Sequence, residues 1–569
     1  MKKTKYILAA LVAAFVSGEA GGQNGSLNQT VQVTNIFEGK AAVSNKPVSK
    51  VTVPDSLYKF DLNFDYGGFE NPYKGNDEFN PFYTELDIAL MPPRGNKFYM
   101  KAGAGYSLAP SLDLSYTMYQ DRRFKLGAYV ENRSYLGKYW KIMSPFDSRH
   151  VLYPNGEDSE GYEVATRAGI NGRADWKDAN LHFAAGYEGF QNSMDPGCIG
   201  TTVSRRNYDG VDVTLSASSN SDLSSAEGDS WLWNATLGYS YGYDRHSLDM
   251  DRTSHENDAR ANLFCGYSFR SGSAVSVEAD CDFTYGLYRY SPDDYFGYAL
   301  KLIPGYHYYG DRVRISAGLG MMYSGGRDAG RAVQNGNAFL LYPAVEFNWT
   351  AVRDYLDIYA SSDADGRLYG SRQEALQYGF YLTNRTLAVT KRFTADAGLR
   401  GNVCDVFHYD LSGGYRMGLN TPVVRAVTAQ SASLVPELFY GNLNDFFAKA
   451  SLKAKAGGFS FNGDAEYRYY IGRDELAVVP PALRASLDVC YDYISRIAVY
   501  AGASYTSEYV AGAYLVPQYF NLHAGVRYFI THNFGLYLEG DNLLGNACQF
   551  IPLVARRGFC ISAGVVLNF

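Results

Sequence analysis

The sequence predicts an all-β fold: a transmembrane antiparallel β-barrel of about 22 strands behind a short irregular N-terminal segment. Four observations carry that expectation. Apolar and polar residues alternate with period two in segment after segment from residue 96 onward. The 569 residues include 50 Tyr and 58 Gly, with 15% aromatics, at a mean hydropathy of −0.25. Past the N-terminus no run approaches the about 18 uncharged apolar residues a membrane helix needs. Finally, the links between segments sort by length according to the parity of the strand they follow.

The chain opens with Lys2, Lys3 and Lys5, then runs apolar from Ile7 to Val16, with Gly18 and Ala20 as a small-x-small site. This is the pattern of a secretory signal peptide over residues 1–20, with cleavage after Ala20 or, alternatively, Gly22. Residues 21–95 form a periplasmic or lumenal segment rich in Gly, Asn, Ser and Pro, and residues 96–569 form the barrel. Export together with a lipid-facing barrel places the chain in the outer membrane of a Gram-negative bacterium.

Strand dyads begin at Phe98, Met100, Ala102, Ala104 and Tyr106, which alternate with Tyr99, Lys101, Gly103 and Gly105. Leu112, Leu114, Tyr116 and Met118 follow, then Phe124, Leu126, Ala128 and Val130. Far downstream the same rhythm holds at Val313, Ile315, Ala317 and Leu319, and at Leu483, Ala485, Leu487 and Val489. Successive strand residues face opposite sides, so each segment has one greasy and one wet face. A soluble sandwich or propeller also alternates, but its core would want bulk where this chain repeats Ala and Gly on both faces.

Link lengths discriminate further. Even-numbered strands end in short turns at Gln120, Lys177, Ser271, Gly310, Val352, Val403, Gly457, Ile494 and Thr531. Odd-numbered strands lead into long polar links at 134–160, 191–207, 243–256, 325–335, 364–392, 419–446, 507–516 and 543–557. The link at 219–229 breaks the phase, and the first outer link near Ser107 is unusually short. Short periplasmic turns and long outer loops are expected of a barrel with periplasmic termini, and nothing else calls for such segregation. The last strand must pair with the first, because an open edge in hydrocarbon leaves backbone groups without partners.

The stretch Leu538–Phe569 resembles the last hairpin of TonB-dependent receptor barrels. Asn542, Leu543 and Leu544 match that family's Asn-Leu-Leu, and Arg557–Gly558 leads into a terminal strand ending in Phe569. Two further stretches, "NQTVQVTNIFEGKAAVSNKPVSKVTVPDS" and "ADGRLYGSRQEALQYGFYLTNRTLAVTKRFTADAGLRG", are similar to a subgroup that carries little before the barrel. The resemblance implies transport or uptake of a solute across the outer membrane, and Phe569 as the signal read by the outer-membrane assembly machinery. The same residue would also suit the interfacial aromatic belt. Partners implied are outer-membrane lipids, that machinery, and either TonB or a surface lipoprotein.

The departure from the family is the plug. Residues 21–95 are too short and too poor in apolar side chains for a folded plug domain. Gln29–Asn35 ("QTVQVTN") resembles a Ton box, and is equally a strand-forming run of β-branched residues. A barrel of this size needs its lumen filled by residues 21–95, by infolded outer loops such as 364–392 and 419–446, or by a partner.

No cofactor, metal or catalytic set is expected, and the chain reads as a non-enzyme. The eight His are dispersed, and the seven Cys form no CxxC or disulfide framework. The net charge of −7 argues against nucleic acid. The Asp-x-Asp-Gly core of Ser361–Gly370 places Arg367 where a calcium ligand would sit, so a polar turn ending the thirteenth strand is expected instead. Asp293 and Asp294 read as outer-loop residues, and the Tyr-rich runs near Tyr285 and Tyr306 as interfacial girdles. The alternative to transport is an accessory barrel subunit of an outer-membrane complex.

Overall fold

The computed structural model describes residues 97–569 apart from 107, 144–149, 177, 195–203, 221–228, 247–253, 271, 289–293, 329–330, 333–337, 379–386, 404–405, 429–433, 472–477, 494–495 and 557. The expected signal peptide and the Ton-box-like run at Gln29–Asn35 lie outside the described residues.

Twenty-two antiparallel strands form one closed sheet. The first six are β1 (Phe98–Tyr106), β2 (Ser111–Gln120), β3 (Phe124–Met143), β4 (Tyr153–Asp175), β5 (Ala179–Met194) and β6 (Ser204–Ser219). Next come β7 (Ser230–His246), β8 (Ser254–Phe269), β9 (Ser273–Tyr288), β10 (Asp294–Tyr309) and β11 (Val313–Asp328). The second half holds β12 (Ala338–Val352), β13 (Leu356–Tyr369), β14 (Ala388–Val403), β15 (Phe407–Thr428) and β16 (Leu434–Ala456). It ends with β17 (Phe459–Ile471), β18 (Leu483–Tyr493), β19 (Ile497–Thr506), β20 (Tyr519–Phe529), β21 (Phe534–Asp541) and β22 (Cys560–Asn568). Arg331–Ala332 adds a two-residue ribbon to β11, and Val478–Val479, Tyr509–Ala511 and Tyr514–Val516 form a small separate sheet.

Closure runs from Tyr99 opposite Asn568 to Tyr106 opposite Ile561. Phe98 and Phe569 exchange both backbone N–H···O bonds, each at 2.8 Å. The expected pairing of the last strand with the first is therefore present, and the sheet has no free edge for hydrocarbon to strand.

The dyads set the two faces. On β7 and β9, Trp231, Trp233, Leu237, Tyr239, Val275, Val277, Phe283 and Tyr285 are exposed on the outside. Their alternates Glu278, Asp280 and Asp282, like Asp258 and Arg260 on β8, project into the lumen. Exposed aromatics gather near both rims: Trp176, Trp231, Tyr306, Trp349 and Tyr493 at one, Tyr106, Tyr187, Tyr239, Tyr285 and Tyr323 at the other. That is the double girdle of a membrane barrel.

Links segregate as expected. At one end the turns are 121–123, 176–178, 270–272, 310–312, 353–355, 404–406, 457–458, 494–496 and 530–533, with 220–229 as the long exception. At the other end, two of the expected long links turn out to be largely strand, and a third is strand at its two ends. β3 runs on to Met143 before β4 begins at Tyr153, β15 continues to Thr428 before β16 begins at Leu434, and β13 extends to Tyr369. The polar turn expected at Ser361–Gly370 is likewise strand as far as Tyr369. Beyond the membrane both faces of a strand meet water or protein, so the apolar-out signal disappears while the backbone ladder continues.

Candidate functional site

The wall of the lumen is lined with paired charges. Lys301 lies 3.4 Å from Asp363 and 3.8 Å from Asp280, and Arg416 bridges Asp445 at 3.6 Å and Glu466 at 3.4 Å. Such a wall is hospitable to water and to polar solutes. Its accessibility depends on what stands in the mouth at the long-loop end.

Two loops stand there. The link from β13 to β14 carries a short helix, Ser371–Tyr378, packed against the inner face of β7 and β8. The first-turn N–H groups of a helix have no partner within it. Here the Glu256 carboxylate of β8 accepts those of Ser371 (2.7 Å) and Arg372 (3.0 Å), and also the Tyr295 hydroxyl (2.7 Å). Arg206, at the start of β6, is fully buried and forks onto both oxygens of Asp244 at 3.0 and 2.8 Å. Its third nitrogen donates to Glu374 on the helix at 3.1 Å. Arg372 reaches Glu188 of β5 at 3.6 Å, and the Ser254 and Ser371 hydroxyls meet at 2.8 Å. Burial alone would lower the Arg372 pKa, but the fields of Tyr208, Glu188, Asp258 and Asp212 raise it above its ordinary value. Leu368 and Leu387 close the base of the loop over Gly297, where a Cβ would sit 2.9 and 3.0 Å from their methyl carbons.

The second loop is the link from β21 to β22. Asn542 turns the chain with φ +46°, a left-handed conformation that Asn tolerates better than most residues. Its side chain donates to the carbonyls of Asn546 (2.7 Å) and Gly558 (3.3 Å) and accepts from the Asn546 N–H (3.0 Å). This is the physical role of the Asn in the Asn-Leu-Leu run. Gln549, 1% exposed, donates to the Leu152 carbonyl and accepts from the Leu553 N–H, while Tyr509 donates to its backbone carbonyl. Burial pushes the Cys548 thiol up to about 12, which leaves it unreactive.

Beyond Gln549 the loop enters the opening. Ile551 and Val554 join one buried cluster with Tyr135 and Tyr139 of β3, Tyr369 of β13, Val424 of β15, and Leu438 and Tyr440 of β16. Leu553 and Ala555 join a second with Ile142, Leu152, Ala426, Leu434, Tyr509 and Val516. In a ring of 22, β3 and β13 stand ten places apart, almost opposite. A packed cluster that includes both has to cross the mouth. Arg556 fastens the crossing to β4 through Glu163 at 2.6 Å.

Of the residues singled out in the sequence, Phe569 lies at the short-turn rim, half exposed, with its ring 6.5 Å from that of Phe98. It takes no part in the mouth. Asp294 begins β10 and pairs with Arg327 at 2.9 Å. Among the described residues no group of three or more His, Cys, Asp or Glu is arranged to hold a metal ion. Sequence reasoning placed infolding at 364–392 and missed the helix within it. The run Ser371-Arg372-Gln373-Glu374 has the Ser-x-x-Glu spacing of a helix start and could have revealed it.

No family model matches the sequence, and no curated protein matches it. Solved structures do. The FrpB iron transporter of Neisseria meningitidis aligns at a TM-score of 0.61 and 10% identity, covering 84% of this chain and 81% of that one. The copper transporter OprC aligns at 0.54 and 12% identity, over 84% and 82%. The ferripyoverdine receptor of the outer membrane of Pseudomonas aeruginosa aligns at 0.57 and 10% identity, over 84% and 72%. The resemblance read from Leu538–Phe569 thus holds for the whole barrel at the level of fold: this chain folds as a closed 22-strand barrel similar to those of these solved structures.

Proposed function

We propose that the protein sits in the outer membrane and takes up a solute through the barrel, with the outer mouth closed at rest by the two infolded loops. The observation that carries this reading is the juxtaposition of a charge-lined lumen with a packed bridge that, among the described residues, crosses its outer end. A barrel serving as mere scaffold has no need of a polar bore 22 strands around. The likeness of fold to iron and copper transporters and to a siderophore receptor supports transport as the class of activity; the solute is left open by these residues. TonB, or a surface lipoprotein, would be the partner that moves the bridge.

The test is conductance in a planar bilayer, with the mature chain compared against variants lacking residues 21–95, lacking residues 547–556, and lacking both. A closed wild type that conducts once the loop, or the loop and the N-terminal segment, is removed supports a gated path. Silence of all four proteins, each shown to be folded, sinks the transport reading. The accessory-barrel alternative draws on the crossing itself, which is built as tightly as a protein core; capture of a stoichiometric partner by a non-conducting barrel would favour it.

A further inference from the structure

The latch that holds the helix Ser371–Tyr378 against the wall is short of positive charge. Its buried carboxylates are Glu188 on β5, Asp244 on β7, Glu256 and Asp258 on β8, and Glu374 on the helix. Its buried cations among the described residues are Arg206 on β6 and Arg372 on the helix. Arg206 serves Asp244 and Glu374, and Arg372 serves Glu188. Half-buried Asp212 of β6 adds to the acidic side. Arg260, further along β8, is half exposed and turned to Asp282.

Glu256 and Asp258 are thus left without an ion pair, two positions apart on one face of β8. Glu256 takes the Ser371 and Arg372 N–H groups and the Tyr295 hydroxyl of β10. Asp258 takes the hydroxyls of Ser240 on β7 (3.3 Å) and Thr284 on β9 (2.5 Å). Neutral donors do not offset two like charges taken out of water side by side, and the counter-charge always at hand is a proton. Acceptors for it are present: the Glu188 Oε2 and the Tyr208 hydroxyl of β6 are buried without a hydrogen-bond partner. Tyr208 lies within the field of Glu256, Glu188 and Asp258. Glu256 stands beyond the hydrocarbon, one position past Asn257, whose cross-strand partner is the girdle residue Tyr285. Burial first, and then the field of Asp258, push its carboxyl above the ordinary glutamate range despite its three donors.

We propose that the helix Ser371–Tyr378 is a pH-sensitive closure: docked, it holds a proton on Glu256 beside Asp258, and it loosens as the pH of the outer medium rises. With the helix away, water reaches Glu256 and its ordinary value of about 4.3 returns. The docked form therefore binds the proton more tightly. Docking is strongest in acid and weakens above that value by up to about tenfold per pH unit for one proton, until the docked carboxyl has ionised too. The inference concerns the closure alone and stands whether or not a solute passes.

The test is amide hydrogen exchange of the full mature chain in detergent from about pH 5 to pH 8, each rate divided by the intrinsic rate at that pH. Protection of 371–377 should fall by at least about tenfold across the range, while that of Ala259–Asn262 holds. Glu256→Gln, neutral at every pH, should lose the dependence. Asp258→Asn leaves every bond of Glu256 in place and removes the charge beside it, so the decline should be smaller and stop at a lower pH. Should Glu256→Gln leave 371–377 unprotected throughout, the Asp258→Asn profile decides. Wild-type protection that changes by less than about threefold, or that rises with pH, overturns the inference. So does an undiminished slope in Glu256→Gln, or a decline in Asp258→Asn identical to that of the wild type.

Discussion

Arg206→Ala is the sharpest perturbation of the latch that holds the helix Ser371–Tyr378 in the mouth. The guanidinium is wholly buried between Asp244 and Glu374, whose side chains are 1% and 3% exposed. Truncation leaves two carboxylates in that environment without their counter-charge, and removing one partner of a buried pair costs about 3–5 kcal/mol. The least costly escape is for the helix to leave the wall, because water then reaches both groups while the β-ladder stays intact. At about 1.4 kcal/mol per tenfold, the loop's opening equilibrium should rise by roughly a hundredfold or more. Amide hydrogen exchange reads this directly. The Ser371 and Arg372 N–H groups, held by Glu256 in the wild type, should exchange faster by that factor, while Ala259–Asn262 on the adjoining strand should not change. Arg206→Lys keeps a charge but cannot fork onto Asp244 and reach Glu374 together, so it should fall between the two. If exchange in 371–377 changes by less than about threefold in Arg206→Ala, the ion pairs do not hold the loop and the latch argument is wrong.

Asn542→Ala removes three hydrogen bonds and forces alanine into the left-handed region, at about 2 kcal/mol or more. Asn542→Gly should recover only the backbone share, a difference readable as protease sensitivity of 543–557. Gln549→Leu preserves volume but strands the Leu152 carbonyl and the Leu553 N–H, at about 1–3 kcal/mol each; faster exchange at Leu553 is the expected signature. Phe569→Ala should lower the fraction assembled in cells, seen as loss of the heat-modifiable band on gels, with little effect on refolding of the purified chain into detergent. Equal loss in both settings would assign Phe569 to anchoring alone.

The parts of this molecule legible in the sequence are those where lipid writes the pattern. Phe98 to Tyr106 could be read as a strand because Met100 and Ala102 meet hydrocarbon while Lys101 meets water. The turns at Gln120, Gly310 and Gly457 were legible because a two- to four-residue reversal needs polar or flexible residues. Above the outer girdle this contrast is gone. "YPNGEDSEGYEV" at the start of β4 reads as a loop by composition, yet it pairs with β3 from Met143 opposite Tyr153 down the ladder. The Asn-Leu-Leu motif marked the last link without disclosing that Ile551 and Val554 lie across the opening. Their partners Tyr135, Tyr369 and Tyr440 are scattered over three hundred positions, and only closure of the ring brings them together.

The crossing follows from an unequal wall. β18 to β22 with β1 and β2 are eight to eleven residues long, whereas β3 to β16 run from fourteen to twenty-three. A tilted strand needs about nine to eleven residues to cross the hydrocarbon, so the seam strands stop at the membrane surface while the opposite wall continues outward. Links leaving the seam at 507–518 and 542–559 have no neighbouring ladder to extend. Their apolar residues, Val516, Ile551, Leu553 and Val554, would otherwise face water, at about 1.5–3 kcal/mol for each side chain left unburied. The inner face of the tall wall is the apolar surface within reach, and the contacts are there: Val151 bridges Leu515, Ala426 bridges Gly512, and Tyr139 bridges Arg556. The short seam and the closed mouth are thus one feature. Because the links at 507–518 and 542–559 are anchored at the seam and held across the lumen by side-chain packing, isolated bridges, the Arg556–Glu163 pair and the Gln549–Leu152 hydrogen bond, any opening on this side requires their release from the tall wall. The 22-strand ring itself can stay unchanged.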